Sequence, residues 1–200
     1  MHRIEFYFDC SSPWTYLAFE HALKILPPSL AEIVWKPILV GGLFNTVNPS
    51  VYAAREQPVA AKVAYAKKDL QDWAGYVGIA IGSPPVFPVN SVKAMRGAFV
   101  ALERGVLVPY ARSVFRRYWS ELADISQDEV LAGCVDDAGL DRADFFARIA
   151  AAEYKDKLRA STDELIARGG FGSPTFFVDG EDMYFGNDRL DLLRHRLQAR

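Results

Sequence analysis

The sequence is poor in the residues from which metal and redox centres are built: it has two cysteines, Cys10 and Cys134, and three histidines, His2, His21 and His195. No stretch carries zinc-ligand spacing, and two thiols so far apart make no disulfide framework, so metal chemistry and a stapled scaffold are both disfavoured. Nor is there an excess of one charge. The 23 basic and 25 acidic residues leave a formal net charge of −2, which cannot neutralise a phosphate backbone and argues against nucleic acid as a partner. No apolar run approaches the roughly 18–20 residues of a membrane span. The start, Met1-His2-Arg3-Ile4-Glu5, runs straight into a strand-like segment with no signal-peptide pattern, so a cytoplasmic location without membrane contact is expected. What is present is 50% hydrophobic residues in 200, enough core for one compact domain or one domain with an insertion.

Ile4, Phe6 and Phe8 alternate with Arg3, Glu5, Tyr7 and Asp9, and helical apolar spacing follows from Trp14 to Leu26; this predicts a strand and then a helix. Ile33-Val34-Trp35 gives a second strand, stopped by Pro37. A connection holding a helix makes the two strands parallel, a βαβ unit. From about Val51 to Arg168 the pattern is helical, beginning with the stripe Val59, Val63, Ala66 and Leu70. Within it Ser126-Gln127-Asp128-Glu129 has capping-box spacing, and Asp141 is placed to cap the helix of Phe145, Phe146 and Ile149. The three prolines of Gly82-Ser83-Pro84-Pro85-Val86-Phe87-Pro88 force a rigid non-helical loop. Thr175-Phe176-Phe177-Val178, a turn at Asp179-Gly180 and Met183-Tyr184-Phe185 form a hairpin. Asn187 or Asp188 then caps a last helix carrying Leu190, Leu193 and Leu197.

The ends of the chain thus give β-α-β and β-β-α around helices, an α/β order that resembles the thioredoxin layout. The expected division is a thioredoxin-like domain of residues 1–45 and 170–200 and a helical insertion of residues 46–169. In that layout the reactive group sits where the first strand meets the first helix, here Asp9-Cys10-Ser11-Ser12-Pro13-Trp14-Thr15-Tyr16. A helix N-terminus carries unpaired amides and stabilises an anion such as a thiolate. Dithiol exchange needs Cys-x-x-Cys at this place, and Ser12-Pro13-Trp14-Thr15 excludes it.

These residues resemble the kappa-class glutathione transferases and bacterial 2-hydroxychromene-2-carboxylate isomerases, relatives with a DsbA-like fold. The resemblance spans the chain. It rests on Phe6-Tyr7-Phe8-Asp9 before Ser12-Pro13, on Lys36-Pro37 with Gly41-Gly42, and on Lys62-x-x-Tyr65 with Asp69-Leu70. Phe87-Pro88, Phe171-Gly172-Ser173-Pro174-Thr175 and Phe185-Gly186-Asn187-Asp188-Arg189 complete it; the joint order is specific where each piece alone is weak.

The resemblance implies that glutathione is the cofactor and that catalytic Ser12 holds its sulfur. A free thiol ionises at about 8.5 and each unit of lowering needs about 1.4 kcal/mol; a serine donor and a helix N-terminus supply one to two such units between them. It further implies that Ser173 pairs with the cysteinyl backbone beside a cis Pro174. Gly186, Asn187 and Asp188 then receive the γ-glutamyl end, and Lys62 and Asn48 contact glutathione or a carboxylate substrate. Trp14, Phe87, Pro88 and Asn90 line an aromatic pocket over Ser12, although aromatics at such spacing are more often core. Cys10 reads as a small buried hydrophobe. His21 lies on the exposed side of its helix, and no Ser-His-Asp triad is supported. The implied activity is glutathione-dependent isomerisation of 2-hydroxychromene-2-carboxylate, a small aromatic carboxylate, to trans-o-hydroxybenzylidenepyruvate by a homodimer. A kappa-type transferase or peroxidase and a non-catalytic thioredoxin-fold binding module are the alternatives.

Overall fold

The computed structural model describes residues 2–199. β1 (His2–Phe8), α1 (Pro13–Ile25) and β2 (Ala31–Pro37) make the βαβ unit, with β1 and β2 parallel from His2 against Ala31 to Phe8 against Pro37. β3 (Thr175–Val178) runs antiparallel to β1, and β4 (Asp182–Phe185) returns beside it, giving the order β2-β1-β3-β4. The hairpin turns at Asp179 and Gly180, with φ of 52° and 85°. Positive φ at both central residues is what a type I′ turn requires, hence Asp-Gly. The register decides where the site lies. Phe8 is opposite Pro37, Tyr7 opposite Thr175, and Thr175 opposite Phe185, so segments 9–12, 38–40, 172–174 and 186–188 all gather at one end of the sheet.

Both faces of β1 are buried. Ile4, Phe6 and Phe8 face the larger core with Phe19, Trp35 and Phe176, whereas Tyr7 joins Ile38, Leu43, Leu165 and Phe177 on the other side. Polar residues of the strand are tolerated there because an ion network covers them. Arg168 donates to Glu5 at 2.7 Å and to the Tyr7 hydroxyl at 2.7 Å, and Glu164 accepts from Tyr7 at 2.7 Å and from Lys36 at 3.0 Å.

Between β2 and β3 run α2 (Val40–Val47), α3 (Ser50–Glu56), α4 (Ala60–Val77), α5 (Val92–Glu103), α6 (Leu107–Phe115), α7 (Asp128–Asp137), α8 (Arg142–Ala150) and α9 (Ala152–Ala167). A π-helical turn, Arg116–Ser120, follows α6, and α10 (Leu190–Gln198) closes the chain. None of the described helices is long and apolar enough to cross a membrane.

Several local expectations are corrected. The capping box does not form: Asp124 accepts from the Ser126 amide at 2.9 Å, and α7 begins one residue later with Gln127 as an N-cap whose side chain bonds back to Asp124 and makes no capping bond to the helix. Asp141 does cap α8, accepting from Asp144 N at 2.7 Å. Neither Asn187 nor Asp188 caps α10. Gly186, at φ 105°, leads into a 3-10 turn over Asn187–Arg189, which moves the start of α10 past both. His21 is 3% exposed rather than outward; it packs edge-on to Tyr76, and burial lowers its pKa. The α4 stripe is buried only in its second half, since Val59 and Val63 are 56% and 54% exposed while Ala74 and Val77 are covered. The first turns of α4 extend past the body they would pack on.

Gly97 on α5 marks the tightest helix contact. A Cβ there would collide with the Tyr110 hydroxyl and the Phe145 ring, both buried. Gly97→Ala is expected to lower stability by about 1–3 kcal/mol, read as a lower denaturant midpoint at unchanged m-value. An unchanged midpoint would contradict the packing described.

Candidate active site

Ser12 is the N-cap of α1. Its backbone is extended (φ −107°, ψ 124°), its Oγ accepts from the Thr15 amide at 3.2 Å, and Pro13 takes the first helical position, where a missing N–H costs nothing. The Ser12 hydroxyl donates to the carbonyl of Ser173 at 3.3 Å. No acidic residue lies in the first turn of α1, so the positive end of the helix is not neutralised from within.

Beneath this junction lies Asp9, fully buried. Its carboxyl accepts from Ser11 N at 2.9 Å, from Val40 N at 2.8 Å and from the Ser91 hydroxyl at 3.1 Å. Burial pushes its pKa up, against the lowering effect of those hydrogen bonds. The Asp9 amide donates to Ser173 Oγ at 3.2 Å, and that oxygen lies 2.8 Å from Thr15 Oγ1. Ser173–Pro174 is cis, as expected, and so is Phe87–Pro88. Cys10 is buried, with its amide on Met95 Sδ at 3.3 Å and its carbonyl accepting from Trp119 Nε1 at 2.9 Å. Burial, then the nearby Asp9 charge, holds its thiol well above the usual range, which makes it a poor nucleophile.

Two cavities meet at Ser173. The larger, of 850 Å³, is walled by Ser11, Ser12, Trp14, Asn48, Phe87, Pro88 and Asn90, so all four predicted pocket residues and Asn48 belong to it. The smaller, of 550 Å³, holds Pro174, Gly186, Asn187 and Asp188. Trp14, Ser173 and Phe185 line both. Lys62 is not brought in: it is exposed on α4, outside both walls. The same helix face supplies instead Tyr65, Asp69 and Trp73 to the smaller cavity. Their spacing of four residues was the signal, since it sets them in one row on a helix. Asn45, Tyr52 and the α2 residues Gly41 and Gly42 in the larger wall were likewise missed as site residues. Tyr52 donates to Asn45 Oδ1 at 2.8 Å, and Asn48 donates to the Phe171 carbonyl at 3.2 Å. Asn90 Oδ1 accepts from Val92 N at 3.1 Å, which leaves its amide N–H groups as donors. α2 starts at Val40 without a side-chain cap, so first-turn amides of Gly41 and Gly42 stand in the wall as well.

The model of the DSBA-like thioredoxin domain matches residues 3–198. The chain belongs to that family. A 2-hydroxychromene-2-carboxylate isomerase of Pseudomonas putida is 30% identical over 195 residues, 95% of this chain and 91% of that one. Glutathione S-transferase kappa 1 of Homo sapiens is 27% identical over 209 residues, 97% of this chain and 90% of that one. A solved 2-hydroxychromene-2-carboxylate isomerase superposes with a TM-score of 0.83 at 26% identity, over 98% of this chain and 95% of that one. The DsbA-like fold with a helical segment is therefore the fold of this chain, and the full-length relatives named here are enzymes.

Because burial raises the pKa of Asp9, its contribution to stability is full below the ordinary aspartate value and is lost as pH rises through the folded value. The stability of the wild type relative to Asp9→Asn is thus expected to fall as pH is raised from the ordinary aspartate range. Denaturant unfolding of both proteins at a series of pH values checks this; a difference that grows with pH would show the carboxylate form to be the favoured one.

Proposed function

We propose that the chain is a glutathione-dependent isomerase that interconverts 2-hydroxychromene-2-carboxylate and trans-o-hydroxybenzylidenepyruvate. The observation that carries the reading is the Ser12 hydroxyl at the N-terminus of α1, whose first turn holds no acid, opening on a roomy aromatic cavity in a chain with no cysteine at that position. Full-length relatives bearing that isomerase name support the reaction, and the kappa transferases support the cofactor.

The residues present fit glutathione. Asp69 and Asp188, the latter also paired with Arg189 at 2.9 Å, line the smaller cavity beside Trp14 and Trp73, a setting suited to the ammonium of a γ-glutamyl group. Ser173 stands at the passage to Ser12, where a cysteinyl backbone would pass. When bound, glutathione supplies a thiolate that adds to the substrate and later leaves, so a double bond becomes a rotatable single bond and the thiol is not consumed.

With the cofactor bound, Ser12 turns its one hydroxyl hydrogen from the Ser173 carbonyl, which it meets at 3.3 Å, to the sulfur, and the α1 terminus adds its partial positive charge. Each such contribution is about 1 kcal/mol, which together depresses a thiol pKa by one to two units. Trp14, Phe44 and Phe87 flank a planar ring and exclude water, while Asn90 and the first-turn amides of Gly41 and Gly42 supply N–H donors for a carboxylate. Recognition of the anion by amides alone keeps an unpaired cation out of an apolar cavity.

The test is the ultraviolet conversion of 2-hydroxychromene-2-carboxylate with and without glutathione. Conversion is expected only with glutathione, and Ser12→Ala is expected to be about ten- to hundredfold slower at neutral pH, with part of the rate regained at higher pH. Asp69→Asn and Asp188→Asn are each expected to raise the half-saturating glutathione concentration by about tenfold while leaving the saturated rate unchanged. Conversion without glutathione, or an undiminished Ser12→Ala, would overturn the assignment. Formation of a stable conjugate with an electrophilic aromatic chloride, and no isomerisation, would make the protein a transferase.

A further inference from the structure

In Ser12-Pro13-Trp14-Thr15 the last residue fills the place that a second thiol would take in a Cys-x-x-Cys pair, and no step of the proposed reaction employs it. Thr15 is fully buried in the first turn of α1, ahead of the core residues Leu17, Ala18 and Phe19, and lines neither cavity. A hydroxyl buried there is tolerated only when it is hydrogen-bonded. Its partner is Ser173 Oγ at 2.8 Å, an oxygen that also accepts from the Asp9 amide at 3.2 Å.

Three hydrogen bonds close a ring around the junction. The Ser12 hydroxyl meets the Ser173 carbonyl at 3.3 Å, Ser173 Oγ pairs with Thr15 Oγ1 at 2.8 Å, and Thr15 N donates to Ser12 Oγ at 3.2 Å. Thr15 is thus bonded through its amide to the Ser12 side chain and through its hydroxyl to the Ser173 side chain. The Asp9 backbone links the same two residues, its carbonyl accepting from Ser12 N at 3.2 Å and its amide donating to Ser173 Oγ, but neither bond reaches the Ser12 hydroxyl. When that hydroxyl turns to a sulfur, its single hydrogen leaves the Ser173 carbonyl. Thr15 then still joins the Ser12 side chain to Ser173.

We propose that Thr15 is a positioning residue that holds the Ser12 hydroxyl and the Ser173 backbone at the separation one cysteinyl residue needs. The inference rests on the reading that glutathione lies here, its sulfur on Ser12 and its cysteinyl backbone along Ser173. Sulfur and backbone of one residue are held apart by a single staggered side-chain torsion, so a Ser173–Pro174 turn that slides over the end of α1 fits one at the expense of the other. A misplacement on the order of 1 Å is enough to spoil such a bound geometry.

Calorimetric titration of the full chain with glutathione, and titration of the bound thiol by thiolate absorbance at saturating glutathione, test the proposal. Thr15→Val keeps the shape and removes the hydroxyl; it is expected to weaken glutathione by about tenfold and to move ionisation of the bound thiol upward by about one pH unit. Thr15→Ser, which restores a hydroxyl, is expected to stay within about twofold of the wild type in affinity. Ser173→Ala cuts the same bond from its other end and is expected to shift both quantities in the same direction, with no further change when Thr15→Val is added; it decides alone should Thr15→Val fail to fold. Lower thermal stability of Thr15→Val with affinity and thiol ionisation as in the wild type would overturn the proposal and leave Thr15 a purely structural residue. Failure of the underlying reading looks different: glutathione would not bind the wild type, or its thiol would ionise at the free value in the wild type and Ser12→Ala alike, and either result overturns both.

Discussion

The carboxyl group of Asp9 is the point on which the site is assembled. Fully buried, it accepts from Ser11 N after β1, from Val40 N at the start of α2 and from the Ser91 hydroxyl before α5, while its own amide binds Ser173 ahead of β3. Four segments far apart in sequence are thereby tied together at the open end of one sheet. Burying a carboxyl without a cation is costly, and three donors are what makes it tolerable. The cost is placed where it organises the largest number of site residues for one side chain.

What that arrangement presents outward follows from its polarity. Ser12 caps α1, whose first turn holds no acid, and Cys10 is buried, its backbone amide on Met95 and its backbone carbonyl on Trp119. In this DsbA-like frame the N-cap of the first helix is a serine and not a cysteine. The two cavities joined at Trp14, Ser173 and Phe185 divide the remaining work, one acidic at Asp69 and Asp188, the other aromatic with amide donors. On the proposed reading the first takes the amino end of glutathione and the second takes the substrate.

Much of this was legible because it rests on local rules. The βαβ unit, the Asp-Gly hairpin and the Pro13 start of α1 each follow from period, turn chemistry or capping. Motif order points to Ser12, Phe87 and Pro88, and these share one cavity with Trp14 and Asn90, the other residues expected to line it. The failures have tertiary causes. Lys62 continues the α4 row past the end of the smaller cavity, and periodicity does not say where a cavity stops. His21 was read outward because Tyr76, 55 residues on, is what covers it. Asn187 looked like a cap until the positive φ of Gly186 inserted a 3-10 turn. Asp9 gives no sign of its role, since besides Ser11 its partners come from residues 40, 91 and 173, which only the tertiary fold brings together.

The most direct measurement is a pH titration of the thiol of glutathione bound to the protein, followed by thiolate ultraviolet absorbance, in the wild type and in Ser12→Ala. The account predicts ionisation one to two units below the free thiol value of about 8.5 in the wild type and a return toward that value when the serine hydroxyl is removed. Ionisation at the free value in both proteins would contradict it, because Ser12 and the α1 terminus would then not be holding a thiolate.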